Sequence, residues 1–153
     1  MPPSPGPVLR SARLTDLSDI RSLEHAEFGD QAYPYFVLRQ LYDVGGEHWF
    51  VAEIDSTTVG YAILAMGSDG DAWMLALTIA TGYRRRGIGR TLVRAGIQHC
   101  QDRKIKRLLM TVAPGNVPAG RLYASLGFDR IAHEPAYFGP REPRDVLARD
   151  LIG

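Results

Sequence analysis

The chain has 153 residues, 45% of them hydrophobic and 23% charged, enough to bury roughly 68–70% of its unfolded-state surface in one globular domain. Eighteen basic against 17 acidic side chains give a formal net charge of +1, which excludes an overall field drawing the chain to nucleic acid or an anionic membrane. A single cysteine excludes an intrachain disulfide, and the longest apolar runs fall far short of a membrane span.

Met1-Pro2-Pro3-Ser4-Pro5-Gly6-Pro7 is proline-rich, so residues 1–7 are expected to be a disordered N-terminal segment, and it lacks the charged and apolar regions of a signal peptide, so the protein is expected to be cytoplasmic. Residues 8–153 are then expected to form a single domain. Residues 8–13 read as a short strand at a sheet edge. Thr15 is placed to cap a helix in which Leu17, Ile20, Leu23, Ala26 and Phe28 face inward, with Asp16 and Asp19 set against the N-terminal dipole. Gly29-Asp30 ends it. Tyr33-Pro34-Tyr35 leads into a second helix over residues 36–43, closed by Gly45-Gly46. Residues 48–55 and 58–66 read as an antiparallel hairpin around a polar turn at Ser56-Thr57.

Asp69-Gly70 turns into a near-continuous apolar run over residues 73–80, which predicts a strand buried on both faces. Arg84-Arg85-Arg86-Gly87-Ile88-Gly89 interrupts the apolar pattern. Beyond it Ile88, Leu92, Ala95 and His99 fall on one helical stripe and Val93, Ile97 and Cys100 on the next. Cys100 is expected in the core rather than as a nucleophile. The interrupting loop has the chemistry of a phosphate cradle, because glycines let the backbone approach a ligand, the first helical N–H groups lack partners, and the helix dipole favours an anion. It is not a P-loop, since Ile88 and Gly89 stand where the Lys and Ser/Thr must be; nor is it a dinucleotide fingerprint, since Leu92 takes the place of the third glycine. Farther on, residues 106–112 read as a strand, Asn116 caps a helix, and residues 128–133 and 146–152 read as two last strands. His25, His48, His99 and His133 have no metal-ligand spacing, so no metal is expected. Trp49 and Trp73 sit inside strand-like runs as core residues.

Arg84-x-x-Gly87-x-Gly89 resembles the coenzyme A pyrophosphate loop of the GNAT superfamily of acyltransferases, whose pattern is Gln/Arg-x-x-Gly-x-Gly/Ala. The stretch from Asn116 through Ala119, Leu122, Tyr123 and Gly127 to Phe128 resembles the superfamily's later signature, Asn-x-x-Ala-x-x-Leu-Tyr-x-x-x-Gly-Phe, at all its fixed positions. The order β, α, α, β, β, β, α, β, α, β, β is similar too. The resemblance implies an α/β (α+β) GNAT fold: a central, mixed, mostly antiparallel twisted sheet of about seven strands, flanked by four helices and splayed between strands 4 and 5. It implies an N-acetyltransferase with acetyl-CoA as cofactor. Backbone groups of Arg84, Arg85, Arg86, Gly87, Ile88, Gly89 and Arg90 would then hold the pyrophosphate. Leu77, Thr78 and Ile79 would offer backbone groups to the pantetheine and an N–H to the thioester oxygen, Asn116 would contact pantetheine while also capping its helix, and Tyr123 would protonate the departing thiolate.

The resemblance further implies direct attack by a neutral amine, without a covalent enzyme intermediate. Enzymes acting on protein N-termini often carry a glutamate five residues before the equivalent of Asn116; here Thr111 stands there and cannot be the base. Neutralisation at pH 7 costs about 1 kcal/mol for an α-amine and about 4.6 kcal/mol for a lysine, so an α-amine needs no strong base. Glu24, Glu27 and Glu134 could act through water, although each reads first as a surface charge. Tyr33, Pro34 and Tyr35 resemble the aromatic-proline turn lining the peptide site of some N-terminal acetyltransferases, and Tyr137, beside Phe138, falls where such enzymes have substrate-contacting tyrosines. The acceptor is therefore a primary amine on a peptide or a small molecule, with no nucleic acid or membrane partner, and the protein a monomer or homodimer. A small-molecule acceptor would favour acidic surroundings, for which Glu24, Glu27, Asp30 and Asp43 are available. A non-catalytic acyl-CoA-binding module is a third reading. A nucleic-acid module resting on residues 84–86 is the weakest, given so small a basic footprint.

Overall fold

A computed structural model describes residues 6–152. The expected disorder of residues 1–7 therefore falls mostly outside the described residues. Seven strands run in the order β1-β2-β3-β4-β5-β7-β6 in one sheet: β1 (Val8–Ser11), β2 (Phe50–Ile54), β3 (Thr57–Met66), β4 (Asp71–Ile79), β5 (Arg107–Val112), β6 (Asp129–Glu134) and β7 (Arg144–Asp150). Among the described residues the α-helices are α1 (Leu17–Phe28), α2 (Tyr35–Gly45), α3 (Ile88–Asp102) and α4 (Val117–Ser125). This is the mixed sheet with four helices that the sequence predicts, with β1 at an edge. The β4–β5 pair is parallel, as the long crossover through α3 requires. The β1–β2, β2–β3, β5–β7 and β6–β7 pairs are antiparallel. The residues group into two compact units, one running through Leu64 and including Ala76–Gly96, the other comprising Ala65–Leu75 and the chain from Ile97.

In the first unit, α1 begins one residue later than its sequence suggests. Leu14–Asp16 forms a 3-10 turn, and the capping acceptor is Asp16 rather than Thr15, its Oδ2 taking the Arg13 N–H at 2.6 Å. Asp16 is buried, and both its oxygens also accept from the Arg10 guanidinium at 2.7 Å. Arg10 in turn donates to Glu53 across the β1–β2 pair at 2.6 Å. The inward face of α1 is Leu17, Ile20 and Glu24; Leu23 is half-buried, and Ala26 and Phe28 are exposed. Gly46, after α2, keeps a right-handed φ of −59°. It is needed for space instead, because a Cβ there would lie 2.2 Å from the Tyr42 ring, which meets Trp49 edge-on at 5.6 Å. The hairpin turn is Asp55-Ser56, one residue earlier than expected. Ile54 pairs with Thr57, and both turn residues have positive φ, 51° and 62°, as a type I′ turn demands. Trp49, Val51, Tyr61, Ile63 and Leu92 are buried in this unit.

In the second unit, Asp71 to Met74 of β4 pair with Arg107 to Met110 of β5, while β7 stays in register with β5 as far as Val112 opposite Asp145. Trp73 packs on Leu109, Val146 and Ala148. The Arg107 guanidinium reaches both Asp71 oxygens, at 3.1 and 3.2 Å. Strands β6 and β7 begin and end within two residues of the predicted positions, and a register shift sits at Arg130/Ala132.

Asp16 yields a stability prediction. Hydrogen bonds from Arg10, and then the Arg13 N–H, hold its carboxyl below the ordinary range against the opposing effect of burial. A depressed native pKa contributes stability that is present above the unfolded value, about 4, and is lost as pH falls through the native one. Asp16→Asn should therefore lower neutral-pH stability by about 3 kcal/mol and flatten the acid limb of the stability profile, as measured by urea unfolding between pH 2 and pH 7.

Candidate active site

The cradle predicted around Gly87 lies wholly in the first unit. At the end of β4 the Ala80 N–H donates to the Val59 carbonyl at 2.8 Å, and Thr81–Tyr83 makes a 3-10 turn. Backbone φ then alternates in sign: −69° at Arg84, +65° at Arg85, negative at Arg86, +79° at Gly87. Alternation of this kind turns successive N–H groups toward one side, making an anion-binding concavity. Gly87 is required by that conformation, since a side chain there would meet nothing within 4 Å yet would have to adopt the positive φ. Thr91 turns the Gly87 carbonyl into the helix, donating to it from its N–H at 3.0 Å and its hydroxyl at 2.9 Å. Ile88 is buried and anchors the first turn of α3, while residues 84–87 are exposed. Among the described residues no acceptor takes the N–H groups of Gly87, Ile88, Gly89 or Arg90. This is the open helix N-terminus that a diphosphate fits.

Two arginines of the loop have partners. The Arg86 guanidinium lies 4.9 Å from the centre of the Tyr83 ring. Arg84 donates to the Ile79 carbonyl at 3.3 Å and forms an ion pair with Glu27 of α1. The strand feeding the loop departs from expectation. Burial alternates along β4, with Ala72, Met74, Ala76 and Thr78 sealed and Trp73, Leu75, Leu77 and Ile79 half-buried, so only one face is fully covered.

Glu24 is the residue that sequence reasoning misplaced. The residue is 1% exposed, with no cation against its carboxylate among the described residues, and the carboxylate is used at both oxygens: Oε1 accepts from the Tyr61 hydroxyl at 2.7 Å and Oε2 from the Tyr33 N–H at 2.9 Å. Burial raises its pKa, and the two hydrogen bonds oppose the rise. The signal was available in the i, i+3, i+7 spacing of Leu17, Ile20 and Glu24, which places the carboxylate on the apolar stripe. Of the acidic residues proposed to surround a cationic small molecule, Glu24 is thus consumed internally, Glu27 is paired with Arg84, and Asp43 is paired with Arg39 at 3.0 Å. The Tyr33-Pro34-Tyr35 segment follows α1 in the same unit, with Tyr33 half-buried and Pro34 and Tyr35 exposed.

The second unit carries Asn116, Tyr123 and Tyr137. Asn116 is the N-cap of α4, its Oδ1 accepting the Ala119 N–H at 3.3 Å, and the residue is exposed. Tyr123, two turns on, has its ring buried edge-on to Phe128 at 6.2 Å. Burial pushes its hydroxyl up to about 12, so the phenol keeps its proton throughout the neutral range. Asn116 lines a cleft of about 390 Å³ with Val112, Arg121, Phe128 and Asp145. Asp145 lies 2.7 Å from Nδ1 of His133, a pair that sequence spacing did not suggest. Tyr137 is exposed in the β6–β7 connection, edge-on to Phe138 at 4.9 Å, with Arg144 over the Phe138 ring. Thr111 is half-buried in β5. Cys100 is sealed in α3, its thiol pushed up to about 11 by burial, in keeping with a core role. No helix among the described residues is long and apolar enough to cross a membrane.

Residues 14–128 match the Acetyltransferase (GNAT) family. An N-alpha-acetyltransferase of Saccharolobus solfataricus is 26% identical over 155 aligned positions, covering 94% of this chain and 92% of that protein. The fold matches a crystal structure of Ard1 from Thermoplasma volcanium with a TM-score of 0.90 at 20% identity, over 97% of this chain and 99% of that one. It also matches a structure of the NatC complex bound to Gag peptide and CoA, with a TM-score of 0.87 at 19% identity, over 95% and 99% of the two chains. The family match spans well over half of the sequence and reaches from α1 to the end of the α4 signature. The chain belongs to the GNAT family of acetyltransferases and is an N-acetyltransferase.

Proposed function

We propose that the chain, with residues 8–153 as one catalytic domain, uses acetyl-CoA to acetylate a primary amine, and that the acceptor is the N-terminal amine of a peptide or protein. The observation carrying the cofactor half is the loop of alternating φ over residues 84–87, with the unclaimed N–H groups of Gly87 to Arg90 behind it. These residues fit a diphosphate held by backbone groups, with Arg85 and Arg90 adding charge. Coenzyme A in the NatC structure accords with the assignment. Bound there, acetyl-CoA supplies an activated acyl thioester. Backbone groups of Leu77, Thr78 and Ile79 orient the pantetheine arm and place an N–H at the thioester oxygen, where such a donor contributes a few kcal/mol. Asn116 donates its amide to the pantetheine. Tyr123 holds the proton that the leaving sulfur takes, a role suited to a phenol that stays protonated in the neutral range.

The acceptor half rests on the aromatic residues Tyr33, Tyr35 and Tyr137, on Pro34, and on the engagement of Glu24, Glu27 and Asp43, three of the four carboxylates that would otherwise attract a polyamine. The N-alpha-acetyltransferase named above aligns over nearly its whole length, which favours the same substrate class. With Thr111 unable to act as a base, and Glu24 and Glu27 both engaged, an α-amine with a pKa of about 8 is the acceptor that needs least help in losing its proton.

Two mutants test the cofactor half. Gly89→Asp puts a side chain and a negative charge at the helix N-terminus and should weaken acetyl-CoA binding by at least about tenfold in calorimetry, a loss of about 1.4 kcal/mol. Unchanged affinity would remove the assignment. Tyr123→Phe should lower kcat by about 100-fold while changing acetyl-CoA affinity little, because the hydroxyl matters as charge develops on sulfur; an unchanged chemical step would return Tyr123 to packing. For the acceptor, short peptides with free N-termini should outperform Nα-blocked peptides carrying a lysine. Tyr33→Ala and Tyr137→Ala should each depress kcat/KM for the peptide without altering acetyl-CoA affinity. Faster acetylation of lysines or polyamines in a matched panel would overturn the acceptor assignment alone.

A further inference from the structure

The Glu24 carboxylate is isolated in a way that packing does not require. A buried carboxylate with no cation is costly to desolvate, and an apolar side chain on the stripe of Leu17 and Ile20 would avoid that cost. What Glu24 does instead is bridge three elements of the first unit. It takes the Tyr33 backbone N–H, nine residues along the chain and beyond the end of α1, and it takes the hydroxyl of Tyr61 from the middle of β3. The buried Thr78 hydroxyl, on the neighbouring strand β4, sits beside the same phenol. Glu24 is 1% exposed, so burial keeps the side chain from serving a substrate directly.

We propose that Glu24 is a positioning residue for the acceptor amine: through its hydrogen bonds to the Tyr33 N–H and the Tyr61 hydroxyl it fixes the start of the Tyr33-Pro34-Tyr35 segment against β3. The proposal rests on the reading of that segment as the acceptor wall. Its consequence is directional. Losing the bridge loosens the wall and leaves the loop over residues 84–90 untouched, since that loop is held by its own contacts from Thr91, Glu27 and Ile79. Glutamine can replace the carboxylate, because its oxygen accepts from the Tyr33 N–H while its amide donates to the Tyr61 oxygen.

The test compares Glu24→Ala, Glu24→Gln and Tyr61→Phe in the full chain, with thermal unfolding to show that each is folded. In Glu24→Ala, amide exchange at Tyr33 should accelerate at least about tenfold and the peptide KM should rise by about tenfold, with acetyl-CoA affinity unchanged. Glu24→Gln should restore both values to near those of the wild type. Tyr61→Phe, which leaves the Tyr33 hydrogen bond in place, should fall between them and keeps the idea testable if the alanine variant does not fold. Unchanged exchange at Tyr33 in Glu24→Ala would overturn the bridge itself. Faster exchange with an unchanged peptide KM would overturn the acceptor wall and leave the bridge standing. A collapse of kcat in Glu24→Gln, with KM preserved, would overturn positioning in favour of proton transfer.

Discussion

The first turn of α3 cannot satisfy its own donors, and the loop before it is shaped so that nothing else among the described residues of the first unit does. A helix leaves its leading N–H groups without acceptors, and many helices supply a side-chain cap. Here the position before the helix is Gly87, with no side chain to offer, and the carbonyl that Thr91 pulls inward leaves the N–H groups facing out. Exposed donors of this kind are tolerated only because water can serve them when a ligand does not. The positive φ at Arg85 and Gly87 and the burial of Ile88 follow from holding that arrangement still.

Elsewhere in the first unit the two buried carboxylates are spent on joining elements. Asp16 ties Arg10 of β1 to the turn that starts α1, and Arg10 carries the connection on to Glu53 of β2. Glu24 does the equivalent at the other end of α1, with neutral donors in place of a guanidinium. The two carboxylates shift in opposite directions, Asp16 down because the Arg10 guanidinium bonds it and Glu24 up because burial desolvates it. One helix is therefore fastened at its start by charge and near its end by hydrogen bonds to a phenol and an amide.

The element order, the loop conformation before α3 and the helix cap of α4 were legible in the sequence because they depend on period and on residues with special backbone freedom. Gly87 and Asn116 could each be assigned a conformational task from their type and spacing alone. What was not legible depended on the third dimension. A two-residue turn at Asp55-Ser56 is decided by which residues tolerate positive φ, and aspartate and serine gave a weaker signal than an Asn-Gly pair would have. The apolar run in β4 concealed a difference between its two faces, since Leu77 and Ile79 are as hydrophobic as the sealed residues that alternate with them. Glu24 was read as a surface charge because composition says most glutamates are; only its place on the stripe of Leu17 and Ile20 argued otherwise.

The pairing of Arg84 with Glu27 bears on how selective such a loop can be. A cluster of three arginines in an otherwise near-neutral chain invites any polyanion, yet Arg84 has a carboxylate partner and Arg86 lies over the Tyr83 ring. An exposed ion pair is worth about 0–1 kcal/mol, too little to exclude a diphosphate that also gains several backbone hydrogen bonds, each strengthened by the ligand's charge. The same small sum matters more for a weakly held, non-specific anion that can use only side-chain charge. The pairing therefore takes little from the affinity for a ligand that fits the backbone and proportionately more from the affinity for one that does not. Under the proposed assignment, recognition at this loop depends on the φ alternation and the open helix start, and the arginines adjust it.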